Sequence, residues 1–169
     1  MPSIEFAGQA GPTSIAYLDE GHGPPVLLIH GFASTKEVNW LNTGWIKALT
    51  AAVYRAIAID NRGHGESTKY HDPALYGIDR MALDAVEVLD ALGLEKVHVI
   101  GYSMGARIAL SLALSHPERV ARLVLSGNGW NMVESVGNWE PVRDALLAPL
   151  LADVEDPRGR AFRAFAEQT

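Results

Sequence analysis

Ser103 lies between two glycines in the run Gly101, Tyr102, Ser103, Met104, Gly105. This G-x-S-x-G spacing suits a nucleophilic hydroxyl on a sharp turn, provided that a buried strand enters the turn and a helix leaves it. Both flanks have that character. Val97, Val99 and Ile100 form a short, mostly β-branched apolar run, as a strand buried on both faces requires, and residues 107–114 form a dense apolar helix. So tight a turn forces its central side chain into a strained backbone position, and its neighbours must be small to avoid clashing; Gly101 and Gly105 meet that need. The Ser103 hydroxyl is thereby expected at the C-terminal edge of a sheet and the N-terminus of a helix. There, N–H groups and the helix dipole favour a developing oxyanion.

The rest of the chain must supply that sheet. Two runs with β character, 3–7 and 13–18, flank a glycine-rich turn and read as a hairpin. Residues 25–30 form a continuous apolar run that fits a central parallel strand and ends in His30, Gly31 and Phe32. Helical spacing follows over 40–52, then a strand over 54–60 and a polar loop over 61–67. Residues 76–93 predict a helix with Met81, Ala82, Ala85 and Leu89 on its apolar side, and with Asp79, Arg80, Asp84, Glu87 and Asp90 on a solvated face. Beyond the elbow helix, Ser115, His116 and Pro117 make a stop, and 120–125 is a further buried strand. Such alternation predicts an α/β fold, a mostly parallel sheet with helices on both faces. A core over 1–130 is expected, followed over 131–169 by the start of a helical lid, two amphipathic helices broken at Asp156 and Pro157.

Composition narrows the function. Of 169 residues, 48% are hydrophobic and 20% charged, the balance of an ordinary globular domain with a core. A net charge of −6 and the lack of clustered Lys and Arg argue against a nucleic-acid surface. The absence of cysteine excludes disulfides, thiolate metal sites and a cysteine nucleophile. No pair of histidines has metal-ligand spacing with a carboxylate partner, so neither metal nor cofactor is expected. No apolar run reaches the roughly 18 residues of a membrane span, and the first residues do not read as a leader. The expectation is a soluble, unexported, cytoplasmic protein.

Three motifs together carry a resemblance: HGF at 30–32, DNRGHGES at 60–67 and GYSMG at 101–105. Their order and spacing resemble the α/β-hydrolase superfamily, specifically its bacterial esterase-like and lactonase-like members, over roughly residues 3–130. The resemblance implies attack of Ser103 on a carbonyl, an oxyanion hole made by the N–H groups of Phe32 and Met104, and a small ester or other acyl substrate. Serine rather than aspartate at the elbow sets the chain apart from the dehalogenase and epoxide-hydrolase branches. Phe32, Tyr102, Trp130 and Trp139 either line an acyl pocket or pack as core and lid aromatics.

The resemblance also implies the order Ser, then Asp or Glu, then His along the chain, and here the sequence departs from it. No histidine follows His116, which lies roughly 20 Å down the elbow helix from Ser103. His98 begins the strand that leads to Ser103, roughly 16 Å away. His30 and His64 stand at the correct sheet edge, but in the look-alikes such residues support loops; His22 and His71 read as solvated. Asn128 follows the last strand where some members carry the acid, Asp60 reads as a loop anchor, and Asp144, Asp153, Glu155 and Asp156 read as solvated. The chain is thus expected to be the N-terminal part of a serine hydrolase, impaired because the triad acid and histidine are absent. A non-catalytic ligand-binding or oligomerising fragment is the alternative. The strand at 120–125 would be an open edge guarded only by Arg122, so a homo-oligomer is expected, joined through that edge or by exchanged tail helices.

Overall fold

The structure, a computed structural model, describes residues 2–8, 11–129 and 139–167. They fall into two compact units, Met1–Gly127 and Asn128–Thr169. In the first, β1 (Ser3–Gly8) and β2 (Gly11–Glu20) form the expected antiparallel hairpin. The strands β3 (Pro25–Ile29), β4 (Arg55–Ile59), β5 (Val97–Tyr102) and β6 (Val120–Ser126) run parallel to one another, and β2 joins β4 antiparallel. The sheet order is β1-β2-β4-β3-β5-β6. From β3 the chain passes to β4 on one side and then returns across β3 to β5. The loops that leave β3 and β5 therefore part at a topological switch point, where sheets of this kind hold ligands.

Alternation along the strands divides the core. Leu27, Ile29, Ile57, Ile59 and Val99 face α2 (Ile78–Ala91) and α3 (Met104–Ser115), whose Ala85, Leu89, Ile108 and Leu112 are fully buried. Val26, Leu28, Ala56 and Ala58 face the other way, against Trp40 and Ile46 of the segment that contains α1 (Trp45–Ala51). Each fully buried Leu or Ile contributes about 1.5–3 kcal/mol, so a one-residue slip of a central strand would be costly.

Two helices are shorter than their periodicity predicts. The 40–52 segment is a π-helical turn, Glu37–Leu41, followed by α1, because Gly44 at φ 84° cannot continue a helix. The 76–93 segment opens with a 3₁₀ turn, Pro73–Tyr76, capped by the Asp72 carboxylate on the Ala74 N–H, and Gly77 is extended before α2 begins. Asp84 corrects the sequence reading. It is 2% exposed, and both its oxygens accept from Arg62, at 2.6 Å each.

β6 is an edge strand, paired only with β5 among the described residues. Val120 and Leu123 pack against the core, while Val124 and Leu125 remain 49% and 38% exposed.

In the second unit, α4 (Glu140–Leu147) and α5 (Pro157–Ala166) pack as a helical hairpin. Asp156 is a cap rather than a merely solvated acid: its carboxylate accepts the Gly159 N–H at 2.6 Å, with Pro157 at the first helical position. Arg163 donates to the carbonyls of Ala145, Leu146 and Ala148, which the end of α4 leaves without helical partners. Asp144, Asp153 and Glu155 are exposed, as expected. Trp130 and the first residues of the expected lid, 131–138, lie outside the described residues. Among the described residues no helix is long and apolar enough to cross a membrane.

Candidate active site

The sequence places Ser103 between β5 and α3, and the backbone there is strained as the turn requires. Ser103 has φ 53° and ψ −113°, outside the regions favoured by L-residues. Its N–H donates to the Ser126 carbonyl at 2.8 Å, and its own carbonyl accepts the Ala106 N–H at 3.1 Å. Both glycines of the motif are there for lack of room. A Cβ at Gly101 would stand 2.3 Å from the Gly105 oxygen, and one at Gly105 would stand 2.1 Å from the Ile29 oxygen. The second contact presses α3 onto the end of β3.

The loop after β3 passes directly against the elbow. A Cβ on Gly31 would lie 3.3 Å from Ser103 Cβ and 3.2 Å from the Tyr102 ring. Phe32, the expected second oxyanion donor, follows that contact, and Met104, the expected first donor, opens α3. The fold thus brings Ser103, Phe32 and Met104 to one sheet edge.

His30 and His64 anchor the loops, as the sequence reading held. His30 has no exposed surface; its Nε2 accepts the Asn61 N–H at 3.0 Å, and its Nδ1–H donates to the Gly31 carbonyl at 2.7 Å. Asn61 returns the link, donating from Nδ2 to the His30 carbonyl at 3.0 Å. His64 accepts the Ala33 N–H at Nε2, 3.2 Å, and donates from Nδ1 to the Arg62 carbonyl, 3.1 Å. The two rings meet edge to face with centroids 5.2 Å apart, and the Phe32 ring adds a second such contact with His64 at 5.9 Å. Burial lowers the His30 pKa from 6.5 to about 4, helped by the His64 charge and opposed by Asp60. Burial also lowers His64. Both rings are neutral at pH 7, and each nitrogen already has a partner. His22 and His71 are exposed, and His116 follows the end of α3.

The sequence reading missed a buried lysine. Lys36 is fully buried, its ammonium 2.7 Å from Asp60, 2.9 Å from Glu37 and 3.4 Å from Glu66. Burial pulls its pKa down, but the hydrogen bonds to Asp60 and Glu37 outweigh that, and the net direction is up. Asp60 is the loop anchor that the sequence predicts. It accepts the N–H groups of Lys36 and Glu66 at 2.8 and 3.0 Å, and Gly65 at φ 48° approaches so closely that a Cβ would overlap the carboxylate. Arg62 fixes the same loop from the other side, through Asp84 and the Leu75 carbonyl. The Asp84 hydrogen bonds hold the guanidinium above its ordinary pKa.

Comparison with known proteins gives concordant matches. A family model described as "alpha/beta hydrolase fold" matches residues 24–166. The chain is 43% identical over 110 residues to a 2-hydroxymuconate semialdehyde hydrolase of a Pseudomonas species, spanning 65% of this chain and 38% of the relative. It is 42% identical over 102 residues to epoxide hydrolase B of Mycobacterium tuberculosis, spanning 60% of this chain and 28% of the relative. A crystal structure of a hydrolase from Pseudomonas aeruginosa matches with a TM-score of 0.67 and 29% identity over 99% of this chain and 67% of that one. The chain spans less than half the length of the curated relatives it matches.

Proposed function

The chain belongs to the α/β-hydrolase fold family, and on that premise we propose that it acts on carboxylic esters or related acyl substrates, with Ser103 as nucleophile and the N–H groups of Met104 and Phe32 as oxyanion donors. The observation that carries this reading is the Ser103 backbone, at φ 53° and ψ −113°, with the loop bearing Phe32 packed against it. Strain of that kind persists only where surrounding structure enforces it, and a serine so held on the turn between β5 and α3 is what a nucleophile elbow requires. The hydroxyl also favours acyl transfer over epoxide opening, which calls for a nucleophile already anionic at neutral pH, as a carboxylate is.

In the isolated chain this chemistry is impaired, because the histidines of both flanking loops are committed to backbone groups. That commitment also favours the second reading, a non-catalytic protein that binds an acyl ligand. A fluorophosphonate probe tests the first: it should label wild type and spare Ser103→Ala. Equal labelling would remove Ser103 from the site. Turnover of p-nitrophenyl acetate separates the two readings. A rate on the order of 10 per second, abolished by Ser103→Ala, would mean that a base is present and the impairment is not.

A further inference from the structure

An oxyanion donor works only if its N–H is aimed, within a few tenths of an ångström, at the place where charge develops. The Phe32 N–H follows Gly31, which has the least conformational restraint of any residue, so its aim must be set from outside. The peptide joining Gly31 to Phe32 is planar and trans, so its C=O and N–H point in opposite directions and fixing one fixes the other. The C=O end is held by His30, whose Nδ1–H donates to the Gly31 oxygen at 2.7 Å. No other tautomer is consistent with the structure. The Asn61 N–H can only donate, so Nε2 accepts and the proton sits on Nδ1.

The two adjoining peptides are held in the same manner. The Gly31 N–H donates to Asn39 Oδ1 at 3.0 Å, and the Ala33 N–H to His64 Nε2 at 3.2 Å, with Ala33 at φ 54°. Three consecutive peptide planes are thus fixed by side chains, the first at both ends, since Asn61 Nδ2 also donates to the His30 carbonyl, and the middle one carries the candidate donor.

We propose that His30 is a positioning residue for acyl transfer: by holding the Gly31 carbonyl it aims the Phe32 N–H, on the far side of the same peptide, at the oxyanion. A hydrogen bond to the carbonyl also draws density from the amide nitrogen, making the opposite N–H a better donor, a cooperative effect of perhaps 10–30% per bond. Gly31 is buried like His30, which shields its oxygen from bulk water. The inference rests on the Ser103 reading above and goes beyond loop support, because it assigns the two ring nitrogens separate tasks. Protonation at Nε2 would oppose the Asn61 N–H and disturb the aim. The charged and titratable groups that face the ring there are Asp60, 3.9 Å from Nε2, the His64 ring and the Lys36 ammonium.

Two substitutions divide those tasks. His30→Asn keeps a donor near the Nδ1 position, toward Gly31; His30→Gln keeps an acceptor near the Nε2 position, toward Asn61. The second-order rate of fluorophosphonate labelling is measured for both in the full chain, beside wild type and Ser103→Ala, with thermal midpoints. His30→Asn should recover most of the wild-type rate, while His30→Gln should fall by about tenfold or more, as expected when an oxyanion donor is spoiled. Equal rates, or the reverse order, overturn the inference while leaving the Ser103 reading intact. Label that survives Ser103→Ala overturns both. If neither His30 variant folds, the Phe32 amide resonance of wild type labelled with ¹⁵N-phenylalanine decides: it must move as His30 titrates, and a stationary resonance refutes the coupling.

Discussion

The Lys36 ammonium lies 2.7 Å from Asp60 Oδ2, and neither side chain has any exposed surface. The same carboxylate accepts backbone N–H groups from both the loop after β3 and the loop after β4, so one buried group fixes the floor on which His30 and His64 rest. A buried pair of this kind is costly to assemble and more costly to break, because the survivor is left charged and uncompensated.

Lys36→Met should therefore destabilise the fold by about 3–5 kcal/mol, measured by urea denaturation at neutral pH. A loss below about 1 kcal/mol, the range of exposed pairs, would show that water compensates Asp60 and that the cluster holds little together.

His30 gives stability a pH dependence of definite sign. Its pKa is about 4 in the folded chain against an ordinary 6.5, chiefly through burial, so between those values the unfolded chain binds a proton that the folded chain does not. Stability is full above 6.5 and is lost as pH falls toward 4, by about 3 kcal/mol in all. His64, also lowered by burial, adds to the slope in the same direction. Urea midpoints measured down this range should fall more steeply for wild type than for His30→Gln; parallel slopes would remove His30 as the source.

Gly105→Ala should be among the most damaging small substitutions in the chain, since its Cβ would stand 2.1 Å from the Ile29 oxygen and 2.6 Å from the His30 oxygen. Backbone atoms cannot turn aside as a side-chain tip can, so a loss at or above the roughly 1–3 kcal/mol of ordinary overpacking is expected. Gly77→Ala is the control. Nothing lies within 4 Å of its Cβ position and its φ is −62°, so the thermal midpoint should hold or rise slightly. Equal midpoints for the two variants would mean that the elbow can spread to admit a methyl group.

The strands and the elbow were legible because their signals are local. Residues 25–29, 55–59 and 97–102 are short apolar runs between turn residues, and the clash that demands Gly101 arises within the motif's own turn and helix, whereas the one that demands Gly105 comes from the end of β3. Lys36 was not legible. Its burial depends on Asp60 and Glu66, 24 and 30 residues away, and nothing in its own neighbourhood announces them. Asp84 did leave a trace that was read past. It stands three residues after Met81 and four before Val88, on the buried side of α2, where an acid needs a partner such as Arg62. The roles of the ring nitrogens of His30 and His64 needed coordinates, because each depends on a contact between loops 31 residues apart.

The edge strand leads to the last prediction, that two copies pair through β6. Val124 and Leu125 are 49% and 38% exposed, and the outer side of the strand presents N–H and C=O groups that would accept another strand. A two-fold axis through Leu123 would set two copies of β6 antiparallel. Its one charged residue, Arg122, would then face the partner's Val124 rather than the partner's Arg122, so nothing in the pairing opposes like charges. Light scattering across a dilution series should give a mass above the 18.3 kDa of one chain at the concentrated end. Val124→Lys would place its charge opposite the partner's Arg122 and should restore the single-chain mass, whereas Val124→Glu would place an opposite charge there and should preserve the pair. A wild-type mass of one chain at every concentration would defeat pairing altogether. Lys and Glu variants that behave alike would defeat this register, and would leave exchange of α4 and α5 as the arrangement to test.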